Sequence, residues 1–326
     1  RPDKRDNGQV FAPMEFEKPL LALEDKIVEL ERMAQQSQVD LDAELERLRH
    51  QADEVRQNLY RHLGPAQKLQ VARHPQRPNA LEYVKLLSPD TWFEMHGDRA
   101  GSDDRAIVGG LVELDGRPCM LVGTQKGRGM KENLVHNFGM ANPEGYRKAL
   151  RLFAHAEKFR MPVITLIDTP GAYPGLEGEQ HAIGHAIALN IREMARLRVP
   201  ILSVVTGEAS SGGALGIGIA NRIYMLEHAL YTVISPEGCA SILWRSAEFA
   251  TKAAEALKIT AQDLHGFGIC DGIVEEPLGG AHTDPQATAE RMKACLLQGI
   301  DELGRLDGAA LCEQRYAKYR AIGAYT

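Results

Sequence analysis

The chain has 326 residues, 44% of them apolar, and a formal net charge of −6 at pH 7. That is about two domain-lengths, with apolar material for a sizeable core, and the negative balance argues against nucleic acid as the main partner while fitting a soluble cytosolic protein. The five cysteines, Cys119, Cys239, Cys270, Cys295 and Cys312, are widely spaced, contain no Cys-x-x-Cys pair to suggest zinc or redox work, and read as reduced buried thiols.

Residues 1–9 are strongly polar, and no apolar run approaches the roughly 20 residues that span a bilayer, so neither a signal peptide nor a membrane span is expected. The chain opens on Arg1 without an initiator Met, which leaves an upstream targeting segment open. Leu20, Leu23, Ile27 and Leu30, then Leu41, Leu45, Leu48, Val55 and Leu59, recur at helical spacing among Glu, Arg and Gln. The polar break at 35–40 predicts two antiparallel helices rather than one rod. Such an arm cannot bury its stripe alone and is expected to pack on the main domain or a second subunit, since the heptads do not persist as a coiled coil requires. The chain therefore divides into a helical arm (1–64), a basic connector (65–105), a main domain (106–305) and a helical tail (306–326). From 61 to 77 it carries Arg61, Lys68, Arg73 and Arg77 with no acid. This patch reads either as a solvated connector or as a contact for phosphates or an acidic partner surface.

Residues 106–114 and 117–124 flank Asp115-Gly116 and predict a β-hairpin with a type I′ turn. Beyond it helix and strand alternate: helix 142–159 with Pro143 in its first turn, buried strand 163–167, helix 181–196, buried strand 201–205, helix 212–219, short strands 222–226 and 231–234, and a mostly helical 241–257. Repeated strand-helix-strand units imply an α/β fold on a largely parallel sheet with right-handed crossovers.

Ligands bind such sheets where strands end and helices begin. Two turns qualify and belong on one sheet edge: Asp-Thr-Pro-Gly-Ala-Tyr-Pro-Gly at 168–175, and Gly-Glu-Ala-Ser-Ser-Gly-Gly-Ala-Leu-Gly-Ile-Gly at 207–218. A third loop, 235–240, can close the same cleft. Glycine lets the backbone come within hydrogen-bonding distance of a ligand, and a helix starting at Gly212 would aim unpaired amides at it. Such amides stabilise an oxyanion.

Other templates fail. Gly216-Ile-Gly218 lacks the third glycine and downstream acid of a dinucleotide fingerprint, and 123–129 lacks the Gly-Lys-Ser/Thr ending of a phosphate loop. Ser211 misses the Gly-x-Ser-x-Gly elbow by its first residue. No His-Glu-x-x-His pattern occurs among the 11 histidines; His136 stands apart, and His181 and His185 are four apart on a predicted helix, a spacing open to two-ligand metal binding. Solvated or core-lining histidines are the commoner case, and no metal site is assigned.

Several runs together carry a resemblance: Asn-Phe-Gly-Met at 137–140, the ten residues from Pro143, the turn at 168–175, Ser-Gly-Gly-Ala-Leu at 211–215, Ser-Pro-Glu-Gly-Cys-Ala-Ser-Ile-Leu-Trp at 235–244, Pro-Leu-Gly-Gly-Ala-His at 277–282 and Ala-Arg-His-Pro-Gln-Arg-Pro at 72–78. In this order they resemble the α subunit of the bacterial-type acetyl-CoA carboxylase carboxyltransferase over nearly the whole chain. The resemblance implies a crotonase-like fold of ββα repeats, related to Clp protease, for the 106–305 domain. It implies transfer of a carboxyl group from carboxybiotin, on a biotin carboxyl carrier protein, to acetyl-CoA, giving malonyl-CoA for fatty acid biosynthesis. It implies a β subunit bearing the zinc and most of the acyl-CoA site in an α2β2 assembly, within an ATP-dependent complex that includes biotin carboxylase, in the cytoplasm or a plastid stroma.

By the same resemblance, Gly212 and Gly213 are the catalytic pair whose amides hold the ureido oxygen of biotin, with Gly171, Ala172, Gly207 and Ala214 around the biotin pocket and no metal in this chain. Negative charge develops on that oxygen as the carboxyl group leaves. Amides aimed in advance in a water-poor cleft stabilise it without reorganising, and losing one such donor costs on the order of 3 kcal/mol. Biotin's freed anion then takes the α-proton of the thioester, so no protein base is required. Lys126, Arg128 and Lys131 form a second basic loop, either ordinary surface charge or a contact for CoA phosphates.

The chain also departs from the family pattern. Gln-His-Ala-Ile-Gly-His-Ala-Ile-Ala at 180–188 stands where the family has Glu-Arg-Gly-Gln-x-Glu-Ala-Ile-Ala, and Ala209 replaces a usual glycine. The first change puts in doubt contacts from the start of that helix, and the second is expected to stiffen the turn or shift its amides. Two rival classes remain: a hydrolase using Ser210 or Ser211 with His228 as base, and a non-catalytic regulatory or RNA-binding subunit, which the net charge disfavours.

Overall fold

The computed structural model describes residues 14–37 and 41–323. The polar N-terminal stretch 1–9 lies outside them. α1 (Lys18–Ser37) and α2 (Asp42–Arg61) form the arm, and they run antiparallel, so that Arg49 pairs with Glu31 at 2.6 Å and Arg56 with Glu24 at 2.5 Å. Leu20, Leu45, Leu48 and Ala52 are buried, so the two helices close much of the apolar stripe between themselves. The base of the arm, Met14, Tyr60 and Leu63, packs on Val71.

The supposed connector is part of the folded domain. It holds α3 (Pro65–Ala72), α4 (Ala80–Leu87) and a two-residue β1 (Phe93–Glu94). α4 begins with a capping box, in which Asn79 accepts from the Glu82 amide while Glu82 accepts from the Asn79 amide. Tyr83 and Val84 on its inner face are fully buried. The sequence hid this because a Pro-rich, basic lead-in masks an eight-residue amphipathic helix.

β2 (Ile107–Leu114) and β3 (Arg117–Thr124) form the hairpin, and Asp115 and Gly116 both have positive φ, 49° and 78°, as a type I′ turn demands. Then come α5 (Gly129–Val135), α6 (Pro143–Phe159), β4 (Val163–Thr169), α7 (Leu176–Gln180), α8 (Ile183–Arg196), β5 (Ile201–Ser210), α9 (Ser211–Gly218), β6 (Arg222–Leu226) and β7 (Leu230–Thr232). α10 (Pro236–Trp244), α11 (Ala250–Leu257), α12 (Ala261–Gly266), β8 (Gly272–Val274), α13 (Pro285–Leu303) and α14 (Gly308–Ala321) complete the chain.

The sheet runs β1-β2-β3-β4-β5-β6-β8, with β7 beside the end of β5. From β3 onward every pair is parallel, so the carboxyl ends of β4 and β5 share one edge, as the alternation predicts. β4 and β5 are buried on both faces, which is why they read as largely apolar runs, and the hydroxyls of Thr165 and Ser203 within them bond each other at 2.6 Å. β5 outruns its predicted end at 205 and continues to Ser210, so the turn before α9 is shorter than the glycine content suggests. Ala209 lies within this strand, fully buried, where a methyl group suits an extended backbone better than glycine does.

α14 is fixed to the end of α8 chiefly by a buried arginine, with Cys312 Sγ beside it on the Arg196 and Leu197 carbonyls. Arg315, 1% exposed, donates to the carbonyls of Met194, Ala195, Leu197 and Val199 and to Asn221 Oδ1, so a guanidinium covers the carbonyl-rich end of α8. All five cysteines are free thiols, three buried and Cys295 and Cys312 half-buried.

Candidate active site

The site is built where β5 turns into α9. Ser211, the first helical residue, has φ 54°, a left-handed conformation that turns the chain sharply from strand to helix. Serine is among the best N-cap residues, yet Ser210 makes no capping bond, and its buried Oγ has no partner among the described residues. The first amides of a helix have no acceptor within it, so Ser211, Gly212 and Gly213 present uncapped N–H groups at the positive end of α9. Ser211 is exposed and Gly212 half-buried, and Leu215 is 38% exposed one turn on. The start of the helix therefore reaches the surface at Ser211 and Gly212, while Gly213 is buried beneath the neighbouring turn.

The two glycines differ in what surrounds them. A Cβ on Gly213 would lie 2.4 Å from the Gly171 carbonyl carbon and 2.5 Å from the Ala172 nitrogen, whereas on Gly212 it would meet only Ile187 Cδ1 at 3.4 Å. Gly213 is thus where the two sequence-predicted turns touch backbone to backbone, with Gly171 at φ 146°. Position 213 tolerates no side chain for packing reasons alone. Among the remaining predicted residues, Ala214 is fully buried, and Gly207 lies under Asp168, whose Oδ1 would be 2.5 Å from an added Cβ.

Polar side chains that sequence reasoning did not assign to the site hold α9 in place. Tyr146 donates its hydroxyl to the Gly213 carbonyl at 3.1 Å, and Asn190 Nδ2 donates to the carbonyls of Gly216 at 2.9 Å and Tyr146 at 3.0 Å. At the far end of α9, the Tyr319 hydroxyl donates to the Gly218 carbonyl and accepts from the Ala220 amide. One signal for Asn190 was available: it shares the buried stripe of α8 with Ala186 and Met194, a polar side chain at the helical repeat of an apolar face.

The basic patches are corrected by their partners. Arg77 is buried and pairs with Glu276 at 2.5 Å; Arg73 bridges Glu208 at 2.6 Å and Glu237 at 2.7 Å; Lys68 reaches Gln262. Lys126 pairs with Asp168 at 2.6 Å and Arg128 with Glu82 at 2.5 Å, while Lys131 is exposed. Arg73, Arg77, Lys126 and Arg128 line a cavity of about 320 Å³ beside Asp168, and all four already face carboxylates within the chain. Burial pushes the Glu276 carboxyl up, but the Arg77 guanidinium outweighs this and holds it at about 2. Burial also pulls the His282 imidazole down, reinforced by His74 and Arg77, to about 3.

The hydrolase geometry does not assemble. Ser210 stands opposite Thr232 in the β5–β7 register, and its Oγ and the His228 Nδ1 are both buried without a hydrogen-bond partner among the described residues, so no serine–histidine pair forms between them. His228 lies beside Glu276 instead, where its amide donates to the carboxylate. His181 pairs with Glu144 at 2.8 Å, His136 faces the Arg105 carbonyl and His185 is exposed. Among the described residues no three His, Cys, Asp or Glu side chains come together as a metal site. A cavity of about 840 Å³ lies at the opposite end of α8 and α9, between Ile191, Ile219 and Tyr316, away from the amides.

The departing segment at 180–188 carries a strained residue. Ala182, standing where the family pattern has glycine, takes φ 62° at the start of α8. A left-handed non-glycine residue costs roughly 1–2 kcal/mol. Ala182→Gly is expected to raise stability by about 1 kcal/mol despite the added freedom of the unfolded chain, measured as a higher urea midpoint at unchanged m-value.

Comparison with known proteins gives a consistent assignment. Residues 13–323 match the family described as acetyl co-enzyme A carboxylase carboxyltransferase-like. The acetyl-coenzyme A carboxylase carboxyl transferase subunit alpha of Synechococcus elongatus is 54% identical over 312 residues, 96% of this chain and 95% of that protein. The subunit of the same name from Trichodesmium erythraeum is 50% identical over 313 residues, 96% of each. In fold, the chain is similar to a transcarboxylase 12S structure, with TM-score 0.53 and 20% identity over 66% of this chain and 40% of that one. It is also similar to a Pseudomonas malonate decarboxylase hetero-tetramer in complex with coenzyme A, with TM-score 0.56 and 18% identity over 73% of this chain and 94% of that one.

Proposed function

The chain belongs to the acetyl-coenzyme A carboxylase carboxyltransferase α-subunit family, and from this premise we propose that the amides of Gly212 and Gly213 are its anion-stabilising groups in carboxyl transfer to acetyl-CoA, working against a β subunit that completes the site. The observation that carries the reading is the N-terminus of α9, left without a side-chain cap and facing the surface. It fits an anionic oxygen delivered from outside.

When bound, the carrier protein's biotin supplies the carboxyl group and, as that group leaves, a ureido oxygen bearing negative charge. The chain's own part is to meet that charge with fixed donors. Gly212 and Gly213 donate; Tyr146 and Asn190 fix the helix through its carbonyls; Gly171 and Ala172 wall the turn by backbone contact with Gly213. Such preorganised donors strengthen as water is excluded, and with Ser211 exposed the exclusion has to come from a second surface. This supports a β partner in an α2β2 assembly, with the acyl-CoA site and zinc on β. The carrier protein and biotin carboxylase are then partners of the wider complex. No helix of the described residues is long and apolar enough to cross a membrane.

Reconstitution tests this. The α chain alone should form no malonyl-CoA from a carboxybiotin donor and acetyl-CoA, and a β subunit should restore turnover. Ser211→Ala should retain activity within about threefold, because an exposed hydroxyl bonded to no base among the described residues lacks the nucleophilic activation a hydrolase needs. A serine-reactive fluorophosphonate should leave the chain unlabelled. Labelling, with activity lost in Ser211→Ala, would establish the hydrolase reading instead.

A further inference from the structure

We propose that Arg77 and Asp168 are positioning residues that set the glycine turn in register, each satisfying a backbone group that a bulge in β5 strips of its ladder partner. The proposal rests on the reading of Gly212 and Gly213 given above.

β4 and β5 pair in step from Val163 with Ile201 to Ile167 with Val205, and the next partners are Thr169 and Ala209. One residue of β4, Asp168, thus faces three of β5, residues 206–208. On its other side β5 pairs with β6 as far as Val205 with Met225, then with β7 from Glu208 with Leu230. The register with β4 and the neighbour on the other side change at the same place, immediately before the site.

Charged side chains take over there. Arg77 Nε donates to the Thr206 carbonyl at 2.6 Å, and Asp168 Oδ1 accepts from the Glu208 amide at 3.0 Å. Gly207 between them has no room for a side chain beneath Asp168. Arg77 is anchored by two bonds to Glu276, at 2.8 and 2.5 Å, and Glu276 also accepts from the amides of His228 at 3.0 Å and Ala281 at 2.6 Å. Arg73 clasps the Glu208 carboxylate itself.

A buried ion pair is a poor stability device, because desolvation offsets its attraction and apolar residues of similar volume often serve as well. A strand with extra residues does need a register device, since a one-residue slip turns every later side chain to the other face. Slipping β5 would exchange Ala209 with Ser210 and re-aim the amides that follow. Neither Arg77 nor Asp168 is placed on the reacting atoms; both act through the backbone of 206–208.

The test uses the complex reconstituted with β. Asp168→Ala is expected to lower kcat about 100-fold, the scale of a small misplacement of reacting groups, with KM for acetyl-CoA moved less than threefold. Asp168→Asn, which keeps an acceptor for the Glu208 amide, should restore most of it. Arg77→Met combined with Glu276→Leu should fold and show the same kcat loss; should that variant fail to fold, the Asp168 pair decides. The discriminating readout is coupling to the glycine amide: an amide-to-ester replacement at Gly212 should cost far less in Asp168→Ala than in the parent, because groups acting as a unit are non-additive. An undiminished ester cost in Asp168→Ala, or unchanged kcat in that variant, overturns the positioning role while leaving the amide site standing. No ester effect in the parent enzyme removes the site reading itself.

Discussion

Replacing the Gly212 residue by its α-hydroxy counterpart, which turns one amide N–H into an ester oxygen, should lower kcat of the reconstituted enzyme by about 100- to 1000-fold, the usual cost of one oxyanion donor. Position 212 is the informative one. A substitution such as Gly213→Val would abolish activity whatever the role of the amide, because the new side chain would overlap the Gly171–Ala172 backbone at 2.4–2.5 Å. At Gly212 the nearest neighbour of an added Cβ is a flexible Ile187 methyl at 3.4 Å, so Gly212→Ala serves as a steric control and should cost less than about tenfold against the ester's larger loss. Single-turnover carboxyl transfer with biocytin as carrier mimic would measure both. Equal losses in the two variants would assign Gly212 to packing.

Arg315→Leu is expected to destabilise the chain by about 4 kcal/mol or more, since each buried acceptor left unsatisfied costs roughly 1–3 kcal/mol and the guanidinium serves four carbonyls and Asn221 Oδ1. Leucine fills the volume but donates nothing. Arg315→Lys should recover only part, as an ammonium cannot reach carbonyls spread over residues 194–199 with the planar fork that arginine has. Urea unfolding followed by circular dichroism measures the loss. A change below about 1 kcal/mol would mean that water replaces the guanidinium at the end of α8. Because Tyr319 on the same helix grips the last turn of α9, loosening α14 should also depress turnover.

What the sequence disclosed followed from the strength of its local signals. Asp115-Gly116 announced the hairpin because few dipeptides accept two positive φ angles, and 163–167 and 201–205 announced buried parallel strands because nothing charged interrupts them. Gly212 and Gly213 stood out by composition. The remainder is tertiary in origin. The continuation of β5 through Gly207 depends on an arginine 129 positions earlier in the chain, and the pairing of Arg73 and the burial of Arg77 depend on carboxylates more than 100 residues away. No window of sequence contains both partners, so these cations looked like an open patch. Tyr146 and Asn190 were hidden differently: both lie on the apolar faces of amphipathic helices, and their hydrogen bonds to α9 appear only once α6 and α8 are seen against it.

The outward-facing N-terminus of α9 ties catalytic power to concentration. In a lone subunit, solvent competes for the same donors and weakens them, so the electrostatic gain should switch on with association rather than with folding. Specific activity should then fall as the assembled enzyme is diluted through its dissociation constant, with the circular dichroism of the dissociated subunits unchanged.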